Sequence, residues 1–155
     1  LCSESSDEVM ILSGDKDFIQ LQKYPNVKQY SPITKKMING INPDDYLKEH
    51  VLKGDTSDGV PNVLSPDNSF VDGIRQKPLS KKKIAAMIDG NFPNDEIKRN
   101  FQRNKTLIDL GCVPDELRTE ILVTYKDAPE NSRSKLLNYF IKQRLKTLTE
   151  SIGEF

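Results

Sequence analysis

Cysteine is scarce in this 155-residue chain: Cys2 and Cys112 stand far apart, a spacing that matches neither a disulfide framework nor a zinc motif. Reduced thiols with no visible chemistry are the economical reading. Histidine is scarcer still, and the one imidazole, His50, lies inside a helical pattern, where it reads as a structural or surface residue. Long apolar runs are missing too. No stretch approaches the roughly eighteen apolar residues of a membrane span, and the opening LCSESSDEV has neither the basic start nor the apolar centre of a signal peptide. A soluble, cytoplasmic protein without a membrane partner is the expectation. There is no internal repeat, and 35% apolar content over this length predicts one ordinary globular domain with a single core.

Net charge is also absent, with 23 basic residues against 23 acidic, but the two signs are segregated. Residues 1–74 hold 12 acidic and 7 basic side chains, whereas residues 75–105 hold 9 basic and 3 acidic. A second basic run, 132–146, has five basic side chains and no acidic ones. Solvated helix faces account for single charge runs of this kind. An acidic half joined to basic helices is also what a metal-dependent enzyme acting on a polyphosphate substrate combines.

Val9 to Leu12 reads as a short, fully buried strand of the parallel-sheet type. A helix over KDFIQLQK follows, capped by Asp15 and stopped before Pro25. VKQYSPITKKMI predicts a small edge hairpin, Val27–Tyr30 against Lys36–Ile38, turning at Ser31 and Pro32. The clearest helix is NPDDYLKEHVLKG, with Asn42 as N-cap, Pro43 at the first position, Asp44 and Asp45 complementing the dipole and Gly54 as stop. GDTSDGVPNVLSPDNSFVDGIRQKP is too rich in turn formers for regular structure. Ser80 then caps KKKIAAMIDG, and helices are predicted near 94–110, 114–127 and 132–146, the last two with apolar faces at Leu117, Ile121, Leu122 and Tyr125, and at Leu136, Leu137, Phe140, Ile141 and Leu145.

Asp15 and Asp17 follow the C-terminal end of the first strand, where α/β sheets place their ligands. A helix cap and a first-turn acid would explain them equally well. A second pair, Asp55 and Asp58 in KGDTSDGVP, stands three apart, so that one helical turn would point both carboxylates the same way. Should the two elements converge, the carboxylates would repel unless protonated or bridged by a cation. Magnesium, a hard ion completed by waters and substrate phosphates, suits such a set, with manganese as the alternative.

SGDKDFIQL followed about forty residues later by LKGDTSDGVPNV resembles the second half of the 5′-nuclease family of flap endonucleases and 5′-3′ exonucleases, its phage ribonuclease H branch above all. The likeness runs through KYPNVKQYSP to the terminal SIGEF. It implies an α/β fold: the remnant of a parallel, PIN-like nuclease sheet over residues 1–41, and over residues 42–155 a mostly helical region continuous with it. By the same resemblance Asp15, Asp17 and Asp55 are magnesium ligands of the second metal site, and Asp58 is a fourth acid acting directly or through water. A helical hairpin of residues 43–53 and 81–89 would grip duplex DNA or an RNA:DNA hybrid bearing a 5′ end or flap. There Ser80, Lys81, Lys82 and Lys83 would meet backbone phosphate, combining charge with a helix N-terminus. Lys98, Arg99, Arg103 and Lys105 would extend that surface or remain a solvated face.

The chain departs from the cellular members in carrying LSPDNSFVDGIRQKP where they have a short Gly-Ile-Gly-like hairpin, which leaves a backbone phosphate or potassium site there without its usual motif. The family's first metal site, acidic helix and arch would precede Leu1. The expectation is therefore a C-terminal portion, incomplete for catalysis, that removes primers or 5′ DNA ends as part of a larger nuclease beside replication proteins, and that self-associates when isolated. Two alternatives stand beside it: a haloacid-dehalogenase-like phosphatase, which pairs Asp-x-Asp with a later Gly-Asp-x-x-x-Asp, and a non-catalytic duplex-binding module.

Overall fold

A computed structural model describes residue 2, residues 7–127 and residues 133–154. Three strands form one sheet: β1 (Val9–Leu12), β2 (Val27–Ser31) and β3 (Lys36–Ile38), in the order β1-β2-β3. β1 runs parallel to β2 from Val9 opposite Val27 to Leu12 opposite Tyr30, and β3 pairs antiparallel with β2, Gln29 opposite Ile38. The expected hairpin is present with β3 at the edge. β1 is not the fully buried strand expected: Met10 is 49% and Leu12 68% exposed, because an edge strand covered on one face alternates even when all four of its residues are apolar.

The β1–β2 crossover is a 3₁₀ segment, Lys16–Lys23, rather than an α-helix. Asp15 caps it, Tyr24 N–H closes it onto the Leu21 carbonyl at 3.1 Å, and Ile19 and Gln20 are buried beneath it. Short connectors commonly take the tighter form. α1 (Pro43–Lys53) has the bounds its caps predict: Asn42 Oδ1 accepts from Asp44 N–H at 3.0 Å and Asp45 N–H at 3.1 Å, and Gly54 N–H donates to the His50 carbonyl at 2.8 Å. Gly54 adopts φ +68°, ψ −178°, a region open essentially to glycine alone.

The turn-rich segment after α1 is irregular and nonetheless ordered, because side chains of α3 (Asp95–Ile108) hold its backbone. Asn100 donates to the Val63 carbonyl at 3.0 Å, and Asn104 donates to the Val51 and Pro61 carbonyls at 2.9 Å each. Both asparagines are buried, so these bonds stand in for the ladder that a loop lacks. Around them Leu52, Val63, Ile84 and Met87 pack together, the last two from α2 (Lys81–Met87), while Val51, Val60 and Ile108 form a neighbouring cluster. Phe101 packs against both.

The chain divides into two compact units, Leu1–Asp115 and Glu116–Phe155. The second holds most of α4 (Asp115–Lys126), with α5 (Arg133–Lys142) and α6 (Lys146–Glu150). The helix expected over 132–146 stops early, and its expected first residue, Ser132, lies outside the described residues. Arg144 takes φ +55°, its N–H donates to Ile141 at 3.1 Å and Leu145 N–H donates to Phe140 at 2.9 Å. That is a Schellman stop made without glycine, which is why no sequence signal announced it. Of the expected apolar faces, Phe140 is buried, whereas Leu117, Ile121, Tyr125, Leu137, Ile141 and Leu145 stay exposed; periodicity tells which side of a helix is apolar, not what covers it. No helix among the described residues is long and apolar enough to cross a membrane.

Candidate metal centre

The loop leaving β1 is held from below by one side chain. Gln29 of β2, fully buried, donates through Nε2 to the carbonyls of Ser13 at 2.9 Å and Asp15 at 2.6 Å, and its Oε1 accepts from Gln22 Nε2 at 3.1 Å. Asp15 N–H donates to Ser13 Oγ at 3.1 Å, and Asp15 Oδ1 accepts from Asp17 N–H at 3.0 Å. Asp15 is thus the cap of the 3₁₀ segment, and the tight turn aims Asp17 toward α1.

Asp55 arrives from the other side. Its Oδ1 accepts from Ser57 N–H at 2.8 Å, from the Ser57 hydroxyl and from Asp58 N–H at 3.3 Å, while its main chain forms a bridge with Val60. The segment is an Asx-type turn, not the helical turn that the spacing of Asp55 and Asp58 had suggested, so the two carboxylates are not set side by side as on a helix face. Asp58 is exposed and lies outside the cluster that Asp55 joins.

That cluster is Asp17, His50 and Asp55, whose ligand atoms all lie within 4.8 Å of one another. His50 Nε2 is 3.1 Å from Asp55 Oδ2, and Nδ1 is 3.5 Å from Asp17 Oδ1. The side chain is 12% exposed, and Tyr46, one turn earlier on α1, meets its ring edge-on at 5.6 Å between centroids. His50, expected to be a structural or surface residue, sits between the two acidic elements. The available signal was its position one turn before the Gly54 stop, which folds Asp55 back beside that turn.

The electrostatics of the acids differ. Burial pushes the Asp17 carboxyl up, as does the negative charge of Asp15, Asp55 and Asp58, against the opposing influence of His50. Asp55 is held below the ordinary carboxylate value by the Ser57 hydroxyl above all, with the Ser57 and Asp58 amides and His50 adding to it against its burial. Burial raises the Tyr46 phenol, as do the charges of Asp17, Asp55, Asp15 and Glu49. One acid is stabilised as an anion by fixed donors, while the other is left among like charges. Two carboxylates and an imidazole, with a buried Nδ1 that has no hydrogen-bond partner among them, are a donor set that fits a divalent cation.

Ser80 Oγ accepts from Lys83 N–H at 3.4 Å, capping α2 as expected, and Lys81, Lys82 and Lys83 are exposed. Arg99 and Arg103 are paired within the protein. Both bind Asp67, Arg99 at 2.9 Å from an exposed position, and the largely buried Arg103 also donates to the Pro61 carbonyl at 3.0 Å. A groove of about 780 Å³ lies instead beside Lys53, Arg75 and Lys77, with Asn62, Gln76 and Leu79 in its wall.

Fold and cluster together define a mixed α/β protein with a candidate divalent-metal centre. The family described as T4 RNase H, C terminal, matches residues 43–155, and the chain belongs to it. Among its relatives, the ribonuclease H of Enterobacteria phage T4 is 34% identical over 160 residues, covering 96% of this chain and 52% of the relative. The chain therefore spans about half the length of that relative. Asp55, Asp58 and the α2 lysines fall within the family match, and Asp15 and Asp17 precede it.

Proposed function

We propose that this chain is the metal- and duplex-binding C-terminal portion of a magnesium-dependent 5′-3′ exonuclease or flap endonuclease that removes RNA primers or 5′ DNA ends. The observation that carries it is the meeting of Asp17, from the first turn of the 3₁₀ segment after β1, with Asp55, from the turn after α1. In this reading Asp15, Asp17 and Asp55 hold the ion and Asp58 acts directly or through water. When bound, the ion supplies a coordinated water of lowered pKa and charge stabilisation for the departing phosphodiester oxygen. Asp55 is kept anionic by its turn, Gln29 fixes the strand-end loop, and Lys81, Lys82 and Lys83 take backbone phosphates of duplex DNA or an RNA:DNA hybrid without reading sequence. Residues 1–41 are the end of a PIN-like sheet, of which the parallel β1–β2 pair is a part, and residues 42–155 carry the duplex-binding hairpin. Partners in replication and self-association of the isolated chain belong to the same reading. Membership of the nuclease family takes away the ground for the phosphatase alternative.

The test is fluorescence anisotropy on a 5′-flapped duplex, followed by a cleavage assay with magnesium. The chain is expected to bind without cutting. Magnesium-dependent turnover abolished by Asp15→Ala would show a complete centre and overturn the claim of incompleteness. Salt-sensitive binding unchanged by replacing all four aspartates, in a protein that also fails to bind magnesium, would favour the non-catalytic module.

A further inference from the structure

We propose that the groove beside Lys53, Arg75 and Lys77 is a phosphodiester-binding site, which takes the backbone of one nucleic-acid strand on side-chain cations, continuous with the phosphate contacts of the α2 lysines. The inference rests on the nucleic-acid reading above and deepens it by assigning substrate contacts to the strap between α1 and α2.

The groove, about 780 Å³ in volume, is built on a fixed piece of chain. Lys77 N–H donates to Ser65 Oγ at 2.9 Å, and the Lys77 carbonyl accepts from Asn62 Nδ2 at 2.9 Å, so both main-chain groups of this residue are held by buried side chains. Gln76 is oriented in the same way. Its Oε1 accepts from Asn62 N–H at 2.7 Å, which leaves the Nε2 donor for the groove. The strap from Arg75 to Leu79 thus keeps its course without being helix or strand.

The lining has the chemistry of an anion site. Of the described residues that form it, three are cations and none is acidic. Lys53 is paired with Glu49 one turn back on α1, but among the described residues neither Arg75 nor Lys77 has an acidic partner, and both are exposed. The guanidinium of Arg75 adds a fork that matches two phosphate oxygens. Of the nine basic residues in 75–105, Arg99 and Arg103 are held by Asp67; five of the other seven, Arg75, Lys77, Lys81, Lys82 and Lys83, fall within nine consecutive positions that hold no acid. Lys83 Nζ donates to the Pro78 carbonyl at 3.4 Å, which turns an α2 ammonium back toward the strap. Phosphates recur at a short, regular spacing along a strand, so such a run of cations neutralises several in succession. No aromatic ring is among the described residues lining the groove, so bases have nothing to stack on and binding there is independent of sequence.

Binding of a labelled 5′-flapped duplex to the full 155-residue chain is followed by fluorescence anisotropy from about 50 to 200 mM salt. In Arg75→Gln/Lys77→Gln the affinity at the lowest salt should fall about tenfold or more, and the slope of log K against log salt by about 2, at roughly 0.9 for each phosphate no longer neutralised. The exchange Arg75→Lys/Lys77→Arg, which keeps both charges, should keep the slope. Lys35→Gln/Lys36→Gln removes the same charge from the exposed β2–β3 hairpin and should leave it unchanged. Both strap residues are exposed, and the buried bonds at Lys77 use its main chain, so the variants should melt with the unaltered chain. Equal losses in the two glutamine pairs would report charge in general and overturn the groove. Duplex binding unchanged in Arg75→Gln/Lys77→Gln overturns it too and leaves the α2 lysines standing; loss of hexaglutamate binding in that variant would then make the groove a seat for acidic peptide. Absence of salt-sensitive binding by the unaltered chain overturns this site and the duplex-binding reading together.

Discussion

Gln29 does for the acidic loop what no carboxylate could do for itself. One amide holds the Ser13 and Asp15 carbonyls in place, so Gln29→Ala strands two backbone acceptors and empties a fully buried position. A loss of about 2–3 kcal/mol in the urea unfolding free energy is expected. Asp17 works in the opposite sense. Its carboxyl is raised by burial and by neighbouring carboxylates, so the folded state holds that proton more tightly than the unfolded chain does. The stabilisation is present below the ordinary carboxylate range and is lost as pH rises through it toward the raised folded value. At neutral pH, in the presence of a chelator, Asp17→Asn should therefore raise the melting temperature, and the same variant should lose the rise that added magnesium or manganese gives the unaltered chain. A melting temperature that falls in the chelator would contradict this repulsion.

Among the elements, α1 was legible to the residue because its start and stop are local chemistry: Asn42 reaches only two and three residues ahead, and Gly54 closes the helix behind it. Gly54 also lets the chain double back. A Cβ there would stand 2.3 Å from the Val60 carbonyl oxygen and 2.7 Å from Pro61 backbone atoms. Gly54→Ala adds that collision to a forbidden backbone region, and a destabilisation above about 3 kcal/mol is expected by chemical denaturation, together with loss of the divalent-ion effect on melting. Other elements were less legible for identifiable reasons. The segment after β1 carries a helical apolar pattern, yet it is a 3₁₀ segment, and an apolar pattern does not separate the two helical forms. Arg144 ends α5 in a left-handed conformation that composition gives no reason to expect of an arginine.

Across the whole molecule, zero net charge hides a division of labour. The acids near the candidate centre belong to the first 74 residues, and the exposed α2 lysines belong to the basic stretch after them. Sequence-independent duplex binding should therefore fall steeply with salt. The triple variant Lys81→Ala/Lys82→Ala/Lys83→Ala should lower the slope of log K against log salt by about 2–3, at roughly 0.9 for each phosphate no longer neutralised. An unchanged slope would place the duplex elsewhere on the surface, the groove at Lys53, Arg75 and Lys77 being the next candidate.

The acidic motifs, the helix caps and the charge division are written in neighbouring residues, because caps and turns are satisfied within four positions and a motif keeps its spacing whatever surrounds it. Which groups meet is another matter. Asp17 and Asp55 come together, with Asp58 outside, and His50 stands between them. That outcome depends on the angle at which the β1 loop, clamped by Gln29, faces the last turn of α1, and on an Asx turn that spends one oxygen of Asp55 on Ser57. Contacts between elements so far apart along the chain are set by packing and by buried hydrogen bonds, and no local pattern encodes them.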